Sequence, residues 1–247
     1  MLLLALDTAT LCGSVAVVRG EAGPDAPAVT VLGRAEAIVT THSDMLLGLV
    51  AEALRQASLA PGALEAIACG AGPGSFTGLR VALSAIKGIA LARNLPLAGV
   101  STLEALAWNL PFANRWLVPM LDARKFEVYA GVFESAGGTV TRVQPDVVTP
   151  PEAFLTALAA TGRDVVFLGD GATAYRELVE RLLGARARVA DGSHSLPHAG
   201  NVARLAMPAL LRGHTPETEA AAIVPTYLRR PEAEFKRLGQ QPDPVKP

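Results

Sequence analysis

Cysteine is almost absent. Cys12 and Cys69 stand far apart and outside any CxxC or metal-ligand spacing, so the chain carries neither a disulfide framework nor a thiolate zinc site. Aromatic residues are scarce, at 5%. Charge of one sign is lacking too: Lys+Arg 22 against Asp+Glu 23 gives a net charge of −1, which excludes a bulk basic field that holds nucleic acid by counterion release. No apolar run approaches the ~20 residues of a membrane span, despite a mean hydropathy of +0.32. The opening Met1–Leu6 has no basic segment before it, and Asp7 interrupts it, so it reads as a buried strand rather than an export signal. These absences describe a soluble, cytoplasmic protein. What is present is a 50% hydrophobic composition in 247 residues, enough to build a core in one or two domains.

The hydrophobic pattern runs through the same order of elements twice. Residues 2–6, 14–18 and 29–39 read as strands, and a helix over 43–58 opens at Ser43, a candidate N-cap. A strand at 66–69, a helix over 77–94, a strand at 97–100 and a helix over 102–110 complete the first half. The second reads as strands at 116–121, 127–133 and 139–144, with Ser135-Ala-Gly-Gly138 as a hairpin turn. A helix started by Pro150-Pro151-Glu152 and running through Ala160, with proline in its first turn, follows, then a strand at 165–168, a helix over 172–183, a strand at 187–190 and a helix over 200–211. Each half is thus βββαβαβα: three antiparallel strands and then alternating helix and strand, an α/β architecture. Lobes at 1–110 and 111–213 would face each other across a cleft, with a surface tail over 214–247. Duplications of this ribonuclease-H-like kind resemble the actin, hexokinase and Hsp70 superfamily, in which the cleft holds ATP.

The strongest local motif is Gly70-Ala-Gly-Pro-Gly-Ser-Phe-Thr-Gly78, between a strand and a helix. Gly72, Gly74, Ser75 and Thr77 could cradle an anion at the helix start, or merely form a tight turn capped by Ser75 or Thr77. The loop lacks the GK[ST] ending of a P-loop, and the turn reading is favoured. Asp7 and Thr8 end the first strand, where a carboxylate either orients a metal-bound water or closes the following turn. Asp122-Ala-Arg124 holds the corresponding place in the second half, with a salt bridge as the simple explanation. His194 and His198 are four apart, but Pro197 argues against a shared helix and hence against zinc. Trp108, Phe112, Trp116 and Phe126 gather near the junction of the halves and read as core.

The Gly72–Gly78 motif, together with Leu4-Ala-Leu-Asp-Thr8, Thr41-His-Ser43, Asp122-Ala-Arg124 with Glu127-Val-Tyr129, and Pro225-Thr-Tyr-Leu-Arg229, resembles the bacterial TsaB (YeaZ) family over nearly the whole chain. The resemblance implies a role in making threonylcarbamoyladenosine at adenosine 37 of tRNAs that read codons beginning with A. It implies a non-catalytic subunit that binds and activates a TsaD-like transferase, reaches a TsaE-like ATPase through that complex, self-associates when alone, touches tRNA only indirectly, and needs no cofactor or metal. TsaD proteins carry a His-x-x-x-His metal pattern where this chain has Thr102 and Leu106. The Ser-Gly-Gly phosphate loop and the Asp-Asn pair of TsaD also have no counterpart, near 122–125 and 198–201. Pairing would then use the helices over 43–58 and 77–94, the second of them apolar nearly all round. Candidate contact residues are Leu46, Leu49, Val50, Ala82, Ala85, Ile86 and Ile89. The rival readings are an ATP-dependent phosphotransferase, a metallopeptidase of the same fold, or a module that binds tRNA through Arg229-Arg230 and Lys236-Arg237.

Overall fold

The computed structural model describes residues 1–23, 27–38 and 42–229. Strands β1 (Leu2–Asp7), β2 (Cys12–Glu21) and β3 (Ala28–Ile38) form an antiparallel meander. Helix α1 (His42–Gln56) leads to β4 (Ala66–Gly70), which pairs parallel to β1, and α2 (Phe76–Arg93) leads to β5 (Leu97–Val100), parallel to β4. The short α3 (Thr102–Ala107) ends the first half. The second repeats the plan with β6 (Trp116–Arg124), β7 (Glu127–Ala136), β8 (Thr139–Thr149), α4 (Pro151–Ala160), β9 (Val165–Leu168), α5 (Asp170–Ala174), α6 (Arg176–Leu183), β10 (Ala187–Val189) and α7 (Ala199–Leu210). The sheet orders, β3-β2-β1-β4-β5 and β10-β9-β6-β7-β8, are one topology used twice. The fold is the duplicated ribonuclease-H-like α/β architecture that the pattern predicts.

The central strands bury both faces, so they read as continuous apolar runs. On β1, Leu4 and Leu6 join the core beneath α1 and α2, while Leu3 and Ala5 face the other way. That second face is floored by Ala16, Ala66, Ala68 and Ala98, small enough to seat a helix closely. The helix seated there is α7, from the far end of the chain: Val202, Ala203, Ala206, Met207 and Leu210 pack onto it. Reciprocally, Leu103, Leu106 and Ala107 of α3 pack on Leu117, Leu121, Phe133 and Leu168 of the second sheet. The two halves exchange their last helices. Asn201 fastens the exchange, its amide donating to the Ala105 carbonyl at 3.1 Å and to Asn109 Oδ1 at 2.7 Å.

Several expectations need correction. The 172–183 helix is two, α5 and α6, broken at Tyr175. Helix α1 starts at His42, so Ser43 lies inside the first turn and not at the cap, while Val39 and Thr41 fall outside the described residues. Phe112 and Phe126 are not core: they are 75% and 82% exposed. Phe126 sits in a turn in which Arg124, Lys125 and Phe126 all have positive φ, a geometry with no glycine to announce it. The hairpin is where the sequence places it but tighter: Ser135 and Ala136 stay in β7, and the turn is Gly137-Gly138 alone, with φ of 58° and 84°. The tail is not wholly on the surface. Thr218, Ala220 and Ile223 are buried, whereas Arg230, Lys236 and Arg237 lie outside the described residues.

Candidate functional site

Asp7 terminates β1 and is fully buried. Its Oδ1 accepts from the Ala9 amide at 2.8 Å, closing the turn, and its Oδ2 accepts from the Thr102 hydroxyl at 2.8 Å. Burial pushes its carboxyl up to about 6, against the pull of those two bonds. Thr8 is 5% exposed and donates its hydroxyl to the Gly78 carbonyl. Both residues therefore serve the turn, with their side-chain oxygens engaged by Ala9, Thr102 and Gly78.

The glycine loop shows why it is glycine. A Cβ on Gly70 would lie 1.8 Å from Asp7 Oδ2, one on Gly74 2.4 Å from the Ala9 carbonyl, and one on Gly78 2.3 Å from the Thr8 carbonyl. Each glycine admits this chain's own backbone or buried side chain. Ser75 caps α2 by accepting from the Gly78 amide at 3.2 Å, and Thr77 is exposed. Gly72 is buried; Gly74 and Ser75 do line the inter-lobe cleft, a cavity of about 490 Å³. Across it stand Asp122, Arg124, Tyr129 and Asp170. Asp122 pairs with Arg124 at 3.1 Å and accepts its amide at 2.8 Å, the salt bridge that the sequence suggests.

Outside the cleft, a second cavity of about 630 Å³ lies beside Trp108 and the start of α7 and contains no residue singled out as a loop or interface candidate. On its wall His198 meets Glu36 at 2.9 Å, which raises the imidazole and lowers the carboxyl from their ordinary values. Nearby, Asp191, Ser193 and His194 come together in one turn. This is not a proton relay, because Ser193 Oγ and Asp191 Oδ1 both meet the same ring nitrogen, Nδ1, whereas a triad needs one at each nitrogen. Among the described residues no group of three His, Cys, Asp or Glu could hold a metal, and no helix is long and apolar enough to cross a membrane. The Cys69 thiol is pushed up to about 12 by burial, which makes it a poor nucleophile.

The interface candidates divide. Leu46, Leu49, Ala82 and Ile86 are 1–9% exposed and belong to the core beneath their own helices. They hold α1 and α2 to the sheet and cannot also meet a partner, a correction that helical periodicity alone could not supply. Val50, Ala85 and Ile89 are half-buried at the edges of the same core. The outward faces are built instead around Leu47, Gly48 and Ala51 on α1 and Ser84, Gly88 and Leu91 on α2.

Comparison with known proteins decides the family. Along 98% of this chain and 100% of the relative, 30% of residues are identical to the tRNA threonylcarbamoyladenosine biosynthesis protein TsaB of Bacillus subtilis. The chain belongs to the TsaB family. The Escherichia coli TsaB is 31% identical over 98% of this chain and 100% of its own length. The solved YeaZ structure from Pseudomonas aeruginosa superposes with a TM-score of 0.72 at 32% identity, covering 92% of this chain and 99% of that one. A second solved chain of the same organism, with the same score, is described as similar to the peptidase YEAZ. The family model for TsaD, tRNA N6-adenosine threonylcarbamoyltransferase, matches residues 36–237. TsaB membership makes Thr102 and Leu106 informative: the Thr102 hydroxyl is committed to Asp7, and Leu106 is fully buried in the core under α3. Neither can offer a metal the donor that imidazole provides.

Proposed function

We propose that this chain serves threonylcarbamoyladenosine biosynthesis in tRNA as a non-catalytic subunit that pairs with, and activates, a TsaD-like transferase through the outward faces of α1 and α2. A TsaE-like ATPase would join through that complex, and the same faces would let the chain self-associate when alone. The observation that carries the pairing is a pair of glycines. Gly48 and Gly88 sit in the interiors of these two helices, both exposed, and a Cβ on either would meet nothing within 4 Å. Interior helix glycine costs about 1 kcal/mol relative to alanine, and none of the described residues packs closely enough to require it here. Close approach by another helix does. The non-catalytic reading is supported by Thr102 and Leu106 and by the salt-bridged Asp122–Arg124 across the cleft.

Two measurements test the proposal. Modified-nucleoside analysis of tRNA from cells lacking this chain should show threonylcarbamoyladenosine lost; normal levels would overturn the assignment to the modification. Gly48→Glu with Gly88→Glu should abolish co-elution with the TsaD-like subunit while the isolated chain unfolds at no lower a temperature than the parent, because a Cβ at either site meets open space. A complex that survives both substitutions removes the pairing surface and leaves the role in modification standing.

A further inference from the structure

The segment that follows α7 travels from one lobe to the other. Ile223 packs against Gly99 of β5, where a Cβ would come within 3.0 Å of its Cγ2. The Thr226 amide then donates to the Ala71 carbonyl at 2.7 Å, beside Gly72. Tyr227 lies tilted against Phe76 at the start of α2, centroids 5.3 Å apart, and the Arg80 guanidinium lies over the same Phe76 ring, 5.0 Å from its centroid. Arg229 ends the crossing on the second lobe, donating to the Ala123 carbonyl at 3.0 Å and forming an ion pair with Glu127. That pair is three-quarters buried or more, with side chains 25% and 19% exposed, so it is far less screened than a surface bridge. Tyr227 and Arg229 thereby form part of the cleft wall itself.

We propose that residues 219–229 are a strap that fixes the spacing of the two lobes at the cleft, so that the molecule is a platform of constant shape and not a hinge that closes on a ligand. At the back of the molecule the lobes are already interlocked by the exchanged helices α3 and α7. The strap supplies the second point of attachment, at the lips, and two separated attachments remove the rotation that one hinge would allow. Its aromatic anchor grips the glycine loop and its arginine grips the β6–β7 turn, so the two lips that would otherwise move are the two elements it joins.

Leu11 and Phe126, 61% and 82% exposed on opposite lips, are sites for spin labels after Leu11→Cys and Phe126→Cys in a Cys12→Ser background. Pulsed electron resonance on the otherwise intact chain should give one narrow distance distribution, unmoved by Mg-ATP. With Arg229→Ala, or separately Tyr227→Ala, the distribution should at least double in width while the far-UV circular dichroism is retained. An unchanged width in both variants overturns the strap, as does a distance in the intact chain that shifts with Mg-ATP. A measurement without strap variants guards against their failing to fold. In urea below the unfolding transition, exchange of the Thr226 amide, which is bonded to the Ala71 carbonyl, and broadening of the lip distance should rise together. A Thr226 amide that exchanges freely while the lips keep their spacing also overturns it.

Discussion

At the scale of single residues, Asp7 shows how one carboxylate can look catalytic and act structurally. It ends a strand beside a cleft, yet its oxygens are taken by Ala9 and by Thr102. Its two readings were both visible in the sequence, but the deciding partner lies 95 residues away and local pattern cannot place it. The shift from 3.8 to about 6 corresponds to roughly 3 kcal/mol. The sign follows from the folded value exceeding the unfolded one: the stabilisation is present below 3.8 and is lost as pH rises through about 6. Asp7→Asn, which keeps the shape without the charge, should therefore raise stability at pH 8 by up to roughly 3 kcal/mol and leave it nearly unchanged below pH ~4. Urea denaturation of both proteins across that range checks this. A variant weaker than the parent at pH 8 would show that the ionised carboxylate is needed for the turn.

At the scale of elements, periodicity located nearly every strand and helix, because strands buried on both faces and helices with one apolar stripe leave strong patterns. It could not tell which apolar residues of α1 and α2 face inward. Leu46, Leu49, Ala82 and Ile86 and their outward neighbours are all apolar or small, so the stripe has no visible edge. Nor could it find the break at Tyr175, where the residues on either side are good helix formers and no proline or glycine marks the stop. The glycines do separate the two faces. Gly48→Ala and Gly88→Ala should each stabilise the isolated chain by about 0.5–1 kcal/mol, since a Cβ there meets open space. Thermal or urea unfolding measures this directly. A loss of stability at either site would mean that the glycine serves this chain's own packing.

At the scale of the whole molecule, the exchange of α3 and α7 makes the two lobes depend on each other. A fragment of residues 1–110 contains every strand of the first sheet but lacks α7, so Leu3, Ala5, Val18 and Ala68 would lose their cover and α3 its partner surface. It should fail to unfold cooperatively and should bind hydrophobic dyes, whereas residues 1–229 should unfold in one transition. Circular dichroism melts of the two settle the point, and an independently cooperative 1–110 fragment would sink it.

The order of elements, the two-fold repetition, the tight loop at Gly70–Gly78 and the family likeness were all fixed by the sequence, because they depend on neighbours a few residues apart or on motifs read in order. Tertiary structure alone decided which sheet each terminal helix covers, which side chains of the paired helices stay outside, and that the tail crosses the cleft. Those outcomes rest on contacts between residues about a hundred or more positions apart, such as Asn201 with Ala105, Arg229 with Ala123 and Thr226 with Ala71, and no local periodicity records them.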